Sequence, residues 1–181
     1  MNVIETSLPG VLVLEPRIFR DDRGYFFETF NLAAMVGLGL PSEWKQDNFS
    51  LSKRHVIRGL HYQIGQPQGK LVRVVTGAAL DVIVDLRRSS PTFGQHVTVD
   101  LSGETSRMVW IPEGFGHGFS ALTETVALSY KVTDYYSPKE ERTVLWNDPA
   151  LGIDWKVADE DAILSAKDGV GLPLEQAEVF D

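Results

Sequence analysis

The chain has 181 residues, 43% hydrophobic and 23% charged, with 17 Lys and Arg against 25 Asp and Glu for a net charge of −8. That length predicts one domain over residues 1–181, and four Trp, five Tyr and nine Phe exclude intrinsic disorder. The acidic balance argues against nucleic-acid and anionic-membrane binding, zero cysteines exclude disulfides and thiol chemistry, and the longest uncharged run, residues 29–42, is too short to span a bilayer.

From the N-terminus, Met1–Glu5 shows no basic region followed by an apolar run, so no signal peptide is predicted and the cytoplasm is the expected location. Sixteen Gly and nine Pro then punctuate short runs of strand character. These are residues 11–14, 24–30, 49–51, 56–62, 71–76, 79–86, 96–101, 108–111 and 126–132. Many short strands at this spacing predict a sandwich or barrel. Residues 81–87 alternate, placing Val82, Val84 and Leu86 on one face and Asp81, Ile83 and Asp85 on the other. Helical signals are few: Asn31 caps a short helix through Val36 closed by Gly37, and residues 158–166 allow a turn or two. There is no βαβ alternation and no G-x-G-x-x-G, which disfavours a dinucleotide-binding fold. The reading is an all-β double-sheet barrel with short helices.

Chemistry-bearing residues fall on these strands. His61 ends one of them, and Lys70, Asp81, His117 and Tyr130 lie on or beside others, so a barrel can aim all five into one cavity. Alone, each has an ordinary structural explanation: a satisfied core histidine, a solvated strand-edge lysine, a turn-flanking aspartate, a half-buried strand tyrosine. Asp168, before Gly169, reads on its own as a turn aspartate. Arg58 and His61 have opposite parity and cannot share a face of a regular strand; a bulge at Gly59 would bring them together.

The pattern Pro112-x-Gly114-x-x-His117 resembles the second motif of the cupin jelly-roll barrels. Metal cupins open their first motif with H-x-H and a Glu; here His61-x-Gln63 and Pro67-Gln68 stand instead, so two of the usual four ligands are missing and a metal oxygenase is disfavoured. The resemblance sharpens over nine segments in order: DRGYFFE at 22–28, QDNFS at 46–50, RGLHYQ at 58–63, QGKLVR at 68–73, DVIVDLR at 81–87, SSPTFG at 89–94, PEGFGHGF at 112–119, YKVTDYY at 130–136 and LSAKD at 164–168. Together they resemble the dTDP-4-dehydrorhamnose 3,5-epimerase family along nearly the whole chain.

That resemblance implies a cupin-type jelly-roll β-barrel with short peripheral helices, and an isomerase of a dTDP-linked 4-keto-6-deoxy sugar. The activity implied is inversion at C3 and C5, beside the C4 ketone, in the supply of dTDP-L-rhamnose for surface glycans such as O-antigen. No cofactor or metal is implied. His61 is implied as the base, oriented by Asp168, with Lys70 as donor to the C4 oxygen and Tyr130 as the acid on the opposite face. Arg23 and Arg58 match phosphate and sugar contacts. Glu28, Gln46, Asp47, Asn48, Glu141 and Lys167 match nucleotide contacts, His117 and Asp81 the sugar site, and Tyr136 the aromatic stacked on thymine. A homodimer is implied, with residues 25–27 reaching the partner. A mono-epimerase or ketoisomerase of another dTDP-deoxysugar pathway, and a non-catalytic sugar-binding jelly roll, are the competing readings.

Overall fold

The computed structural model describes all 181 residues. Its strands are β1 (Asn2–Glu5), β2 (Leu12–Glu15), β3 (Phe19–Asp21), β4 (Gly24–Phe26), β5 (Gln46–Lys53), β6 (Ile57–Gln63), β7 (Lys70–Thr76), β8 (Ala78–Asp85), β9 (His96–Ser102), β10 (Met108–Ile111), β11 (Phe115–Ala121), β12 (Thr125–Val132) and β13 (Glu141–Thr143). A single helix, α1 (Leu32–Gly37), follows Asn31, whose side chain accepts from the Ala34 N–H. A six-stranded sheet in the order β1-β2-β10-β7-β12-β5 faces a five-stranded sheet in the order β13-β6-β11-β8-β9, and β3-β4 forms a separate hairpin. Every pairing between named strands is antiparallel, giving the double-sheet jelly roll that the sequence predicts. No helix is long and apolar enough to cross a membrane.

All nine predicted runs contain or overlap strands. Residues 24–30 contribute strand only as far as Phe26, and β5 begins three residues earlier than its apolar run. The turn allowed at 158–166 contracts to one 3₁₀ turn, Asp159–Asp161, because Ile163 joins Val56 in a β-bridge and draws the chain out. Residues 115–121, which fall in none of the nine predicted runs, form the central strand of the five-stranded sheet. A Cβ on Gly118 would lie 2.7 Å from the Arg58 carbonyl oxygen and 3.0 Å from Trp155, so these glycines are sites of close backbone approach.

Three apolar layers follow from strand alternation. Between the sheets pack Val72, Val74, Ile83, Val109, Phe115, Phe119 and Leu128. Val82 and Val84, on the other face of β8, and Leu86 just beyond it pack under the C-terminal segment with Trp146 and Trp155. Outside the six-stranded sheet, α1 brings Met35 onto Leu14, Leu71, Met108 and Trp110. Each large side chain so buried contributes about 1.5–3 kcal/mol relative to exposure. The alternation in β8 thus separates two buried faces rather than an inner and a solvated one. Asp85 is held there by Arg87, Ser90 and Thr92.

Candidate active site

At one end of the space between the sheets the apolar filling gives way to a polar cavity of about 360 Å³. The six-stranded sheet contributes Gln46, Asn48 and Ser50 from β5, Lys70 from β7, and Leu128 and Tyr130 from β12. The five-stranded sheet contributes Arg58, His61 and Gln63 from β6, His117 and Phe119 from β11, and Glu141 from β13. Gln68, Tyr136 and Lys167 close the rim.

Arg58 and His61 reach the same cavity through a bulge. His61 pairs with His117 and Arg58 with Phe119, so three steps on β6 oppose two on β11. Gly59 absorbs the extra residue with φ +133°, a conformation that L side chains rarely adopt, and a Cβ there would meet the Gly118 Cα at 2.5 Å.

The bulge also assembles the central dyad. His61 Nε2 lies 2.6 Å from Asp168 Oδ1, which accepts a second hydrogen bond from the Gly59 N–H, while Oδ2 accepts from Ser165 Oγ at 2.5 Å. Asp168 is only 2% exposed. Burial pushes its carboxyl up, but the hydrogen bonds from His61, Ser165 and Gly59 outweigh that and hold it at about 2. An ionised Asp168 has no proton to give, so Nε2–H donates and Nδ1 is the free acceptor. Burial lowers the His61 pKa, opposed by the Asp168 hydrogen bond and assisted by the Lys167 charge, and the imidazole is neutral at pH 7.

Lys70 Nζ crosses from the six-stranded sheet to donate to the His61 carbonyl oxygen at 3.1 Å. Burial lowers its pKa to about 8, against the pull of Asp81 and Glu141, so it is still mainly cationic at pH 7. The Tyr130 pKa is raised by burial, with Arg58 pulling it down and Glu141 adding to the rise; the phenol is protonated at pH 7. Arg58 Nε donates to Ser52 Oγ at 3.1 Å. A second dyad joins His117 Nε2 to Asp81 Oδ1 at 2.8 Å. At the rim, Glu141 takes Lys167 Nζ at 2.7 Å on one oxygen and Tyr136 Oη at 2.9 Å on the other.

Within this chain, four expected contact residues do not line the cavity. Arg23 sits on the β3-β4 turn with its side chain 90% exposed, paired to Asp21. Glu28 is exposed and accepts from Asn31. Asp47 has the parity opposite to Gln46 and Asn48, so it faces the outer side of the sheet and binds Lys131 at 2.8 and 2.9 Å. Asp81 lies beneath His117 rather than on the wall. Conversely, Ser50, Gln63, Gln68, Phe119 and Leu128 line the cavity without having been singled out. Strand parity from Asn48, His61 and Tyr130 marks Ser50, Gln63 and Leu128. Ser165, three residues before Asp168, carries no such signal.

The donor set does not fit a metal. No group of three His, Cys, Asp or Glu side chains converges, and the Nε2 atoms of both cavity histidines are occupied by carboxylates.

A family model described as dTDP-4-dehydrorhamnose 3,5-epimerase matches residues 5–176. The chain is 50% identical over 181 residues to a dTDP-4-dehydrorhamnose 3,5-epimerase of Pseudomonas aeruginosa, covering 99% of each chain. A crystal structure of dTDP-6-deoxy-D-glucose-3,5-epimerase from Legionella pneumophila in complex with dTDP-4-keto-L-rhamnose superposes with a TM-score of 0.94. It is 46% identical and covers 98% of this chain and 94% of that one. More distant is a 3′-monoepimerase from Streptomyces bikiniensis in complex with dTDP-quinovose, at TM-score 0.88 and 35% identity, covering 95% and 87%. With its jelly roll, its double-sheet cavity and this breadth of similarity, the chain belongs to the dTDP-4-dehydrorhamnose 3,5-epimerase family.

Proposed function

We propose that the chain is an epimerase that inverts C3 and C5 of dTDP-4-dehydro-6-deoxy-D-glucose to give dTDP-4-dehydro-L-rhamnose, with residues 1–181 acting as one domain. The observation that carries this reading is the placement of base and acid on opposing sheets of one cavity: His61 on β6 and Tyr130 on β12. Inversion beside a ketone needs a proton taken from one face of the carbon and returned to the other.

The C4 carbonyl acidifies the hydrogens on C3 and C5. Neutral His61 takes the proton on Nδ1, and ionised Asp168 stabilises the imidazolium that forms. The electron pair moves onto the C4 oxygen, where the Lys70 ammonium donates; a preorganised donor of this kind is worth about 3–4 kcal/mol. Tyr130, protonated at pH 7, delivers a proton from the opposite sheet. His117 and Arg58 hold the sugar and its diphosphate, and Tyr136, fixed through Glu141, stacks on the base.

A second copy of the chain completes the site in this reading. Phe19, Tyr25 and Phe26 on the hairpin, and Phe49 (66% exposed) and Leu51 (64%) on β5, present large apolar side chains to solvent. Arg23 and Glu28, on and just beyond the same hairpin, line no cavity of their own chain and reach the partner's cavity in this reading.

Proton NMR of dTDP-4-keto-6-deoxyglucose in deuterated water with the protein added tests the assignment. Deuterium at both C3 and C5 is the expected result. Incorporation at one carbon moves the chain to the mono-epimerase reading, which its 35% identity to the 3′-monoepimerase favours less than the 50% to the double epimerase. Incorporation at neither overturns both.

A further inference from the structure

The loop that carries Tyr136 has an unusual support. Residues 134–137 leave β12 and cross the cavity rim, and no backbone–backbone hydrogen bond reaches Asp134, Tyr135 or Tyr136. Each residue instead gives one backbone group to a glutamine side chain. The Asp134 carbonyl accepts from Gln68 Nε2 at 2.7 Å, and the Tyr135 carbonyl from Gln63 Nε2 at 3.2 Å. The Tyr136 N–H donates to Gln46 Oε1 at 3.2 Å, and the Ser137 N–H to Gln63 Oε1 at 2.8 Å. Gln63 is 4% exposed, and its Nε2 also donates to the Gln66 carbonyl at 2.6 Å.

We infer that Gln63, assisted by Gln68 and Gln46, is a positioning residue: a glutamine clamp that fixes the Tyr136 loop in its nucleotide-binding conformation and ties it to the strand bearing His61. The inference rests on the reading of Tyr136 as the residue that stacks on the base.

The chemistry of the carboxamide suits the task. Gln63 must accept from Ser137 and donate to Tyr135 with one side chain; a glutamate cannot donate to the carbonyl, and a lysine cannot accept from the N–H. It does so without adding charge beside Lys70, Arg58 and Lys167. Gln63 stands two residues after His61 on β6, where the pleat aims it at the same cavity. Its amide is spent on the loop rather than on a ligand. The gain is preorganisation: a loop without its own ladder would otherwise lose conformational freedom on binding.

The test is a double-mutant cycle read by dTDP affinity (isothermal titration) and by separate kcat and KM. Gln63→Met keeps the volume and removes both bonds from Gln63 to the loop; it is expected to weaken dTDP binding and raise KM by about 10–50-fold, with kcat at saturation within about threefold of wild type. On a Tyr136→Ala background the same change is expected to cost less than about twofold, because the loop then has nothing to position. Equal costs on both backgrounds, or parallel losses in kcat and affinity, overturn the clamp and leave Gln63 a purely structural residue. If Gln63→Met does not fold, Gln68→Leu, which removes one bond from the rim, is expected to weaken dTDP by about 3–10-fold with the same dependence on Tyr136, and no dependence overturns the clamp. Unchanged dTDP affinity in Tyr136→Ala alone overturns the stacking reading and the clamp with it, whereas weakened affinity there without coupling to Gln63 overturns the clamp only.

Discussion

Replacing Gly59 by alanine tests the bulge on which the site depends. Two costs can be read from the backbone. At φ +133° an L side chain is strained by about 1–3 kcal/mol. The added Cβ would also meet the Gly118 Cα at 2.5 Å and the His117 carbonyl oxygen at 2.9 Å, backbone atoms of the neighbouring strand that cannot rotate away. Overpacking of that kind costs about 1–3 kcal/mol more. The sum, about 2–6 kcal/mol, corresponds to a fall in Tm of about 5–20 °C for a chain of this length. Gly24→Ala supplies the control, since it has φ +127° and open space around its Cβ position, so it bears the strain without the collision. Paired thermal melts should show Gly59→Ala lower by the collision cost, about 1–3 kcal/mol at the melting temperature. Because Gly59 also gives its N–H to Asp168 and sets the direction of His61, deuterium exchange in the folded fraction should fall about 100-fold or more. Melts that coincide with those of Gly24→Ala, or exchange within tenfold of wild type, would refute the argument that the bulge both excludes a side chain and aims the base.

Tyr130→Phe should wash deuterium into the substrate yet form inverted product about 10²–10⁴-fold more slowly by NMR. Its Tm should be nearly unchanged, since the Tyr130 hydroxyl has no protein partner; inverted product at the normal rate would assign the acid elsewhere. Asp168→Asn replaces the carboxylate, whose charged hydrogen bond raises the His61 pKa, by a neutral amide and leaves burial to dominate, so the acid limb of the kcat/KM profile should move to lower pH. A limb that moves upward contradicts the dyad. The Asp85 carboxyl is pushed up by burial, but Arg87, Ser90 and Thr92 outweigh that and hold it at about 2, below its ordinary 3.8. A depressed carboxylate contributes stability that is complete above the unfolded value and disappears as pH falls toward 2, so Asp85→Asn should flatten the loss of stability between about pH 4 and 2 in acid melts.

The strands were legible because half-buried antiparallel strands write their alternation into the sequence, as β12 does with Val126, Leu128, Tyr130 and Val132 facing inward. β11 escaped because its glycines answer to neighbours, the Arg58 carbonyl and Trp155, that only the tertiary fold supplies. β1, β3 and β13 are three or four residues long and carry too little pattern to mark. For the site, parity correctly groups Gln46 with Asn48, and it also sets Asp47 on the outer face with Lys131. The motif QDN read as a block hides that division. Arg23 was legible as a motif but not as a position, because every residue of the β3 and β4 strands is exposed and the burial pattern fixes no direction for the hairpin.

Two histidines occupy paired positions on adjacent strands, His61 on β6 and His117 on β11, and each is bonded through Nε2 to a buried aspartate. What distinguishes them is the carboxylate behind each ring. Asp168 receives donors on both oxygens, from His61, Gly59 and Ser165, so its ionised form is fully satisfied and its geometry fixed when charge appears on the imidazole. Asp81 receives only His117, and its Oδ2 is buried without a partner. Its charge instead helps to keep the Lys70 ammonium protonated against burial. A base that must accept and release a proton in each turnover needs the first arrangement. A residue that holds the sugar beside a cationic donor is served by the second, so the groups that surround the two aspartates support the different roles proposed for the two dyads.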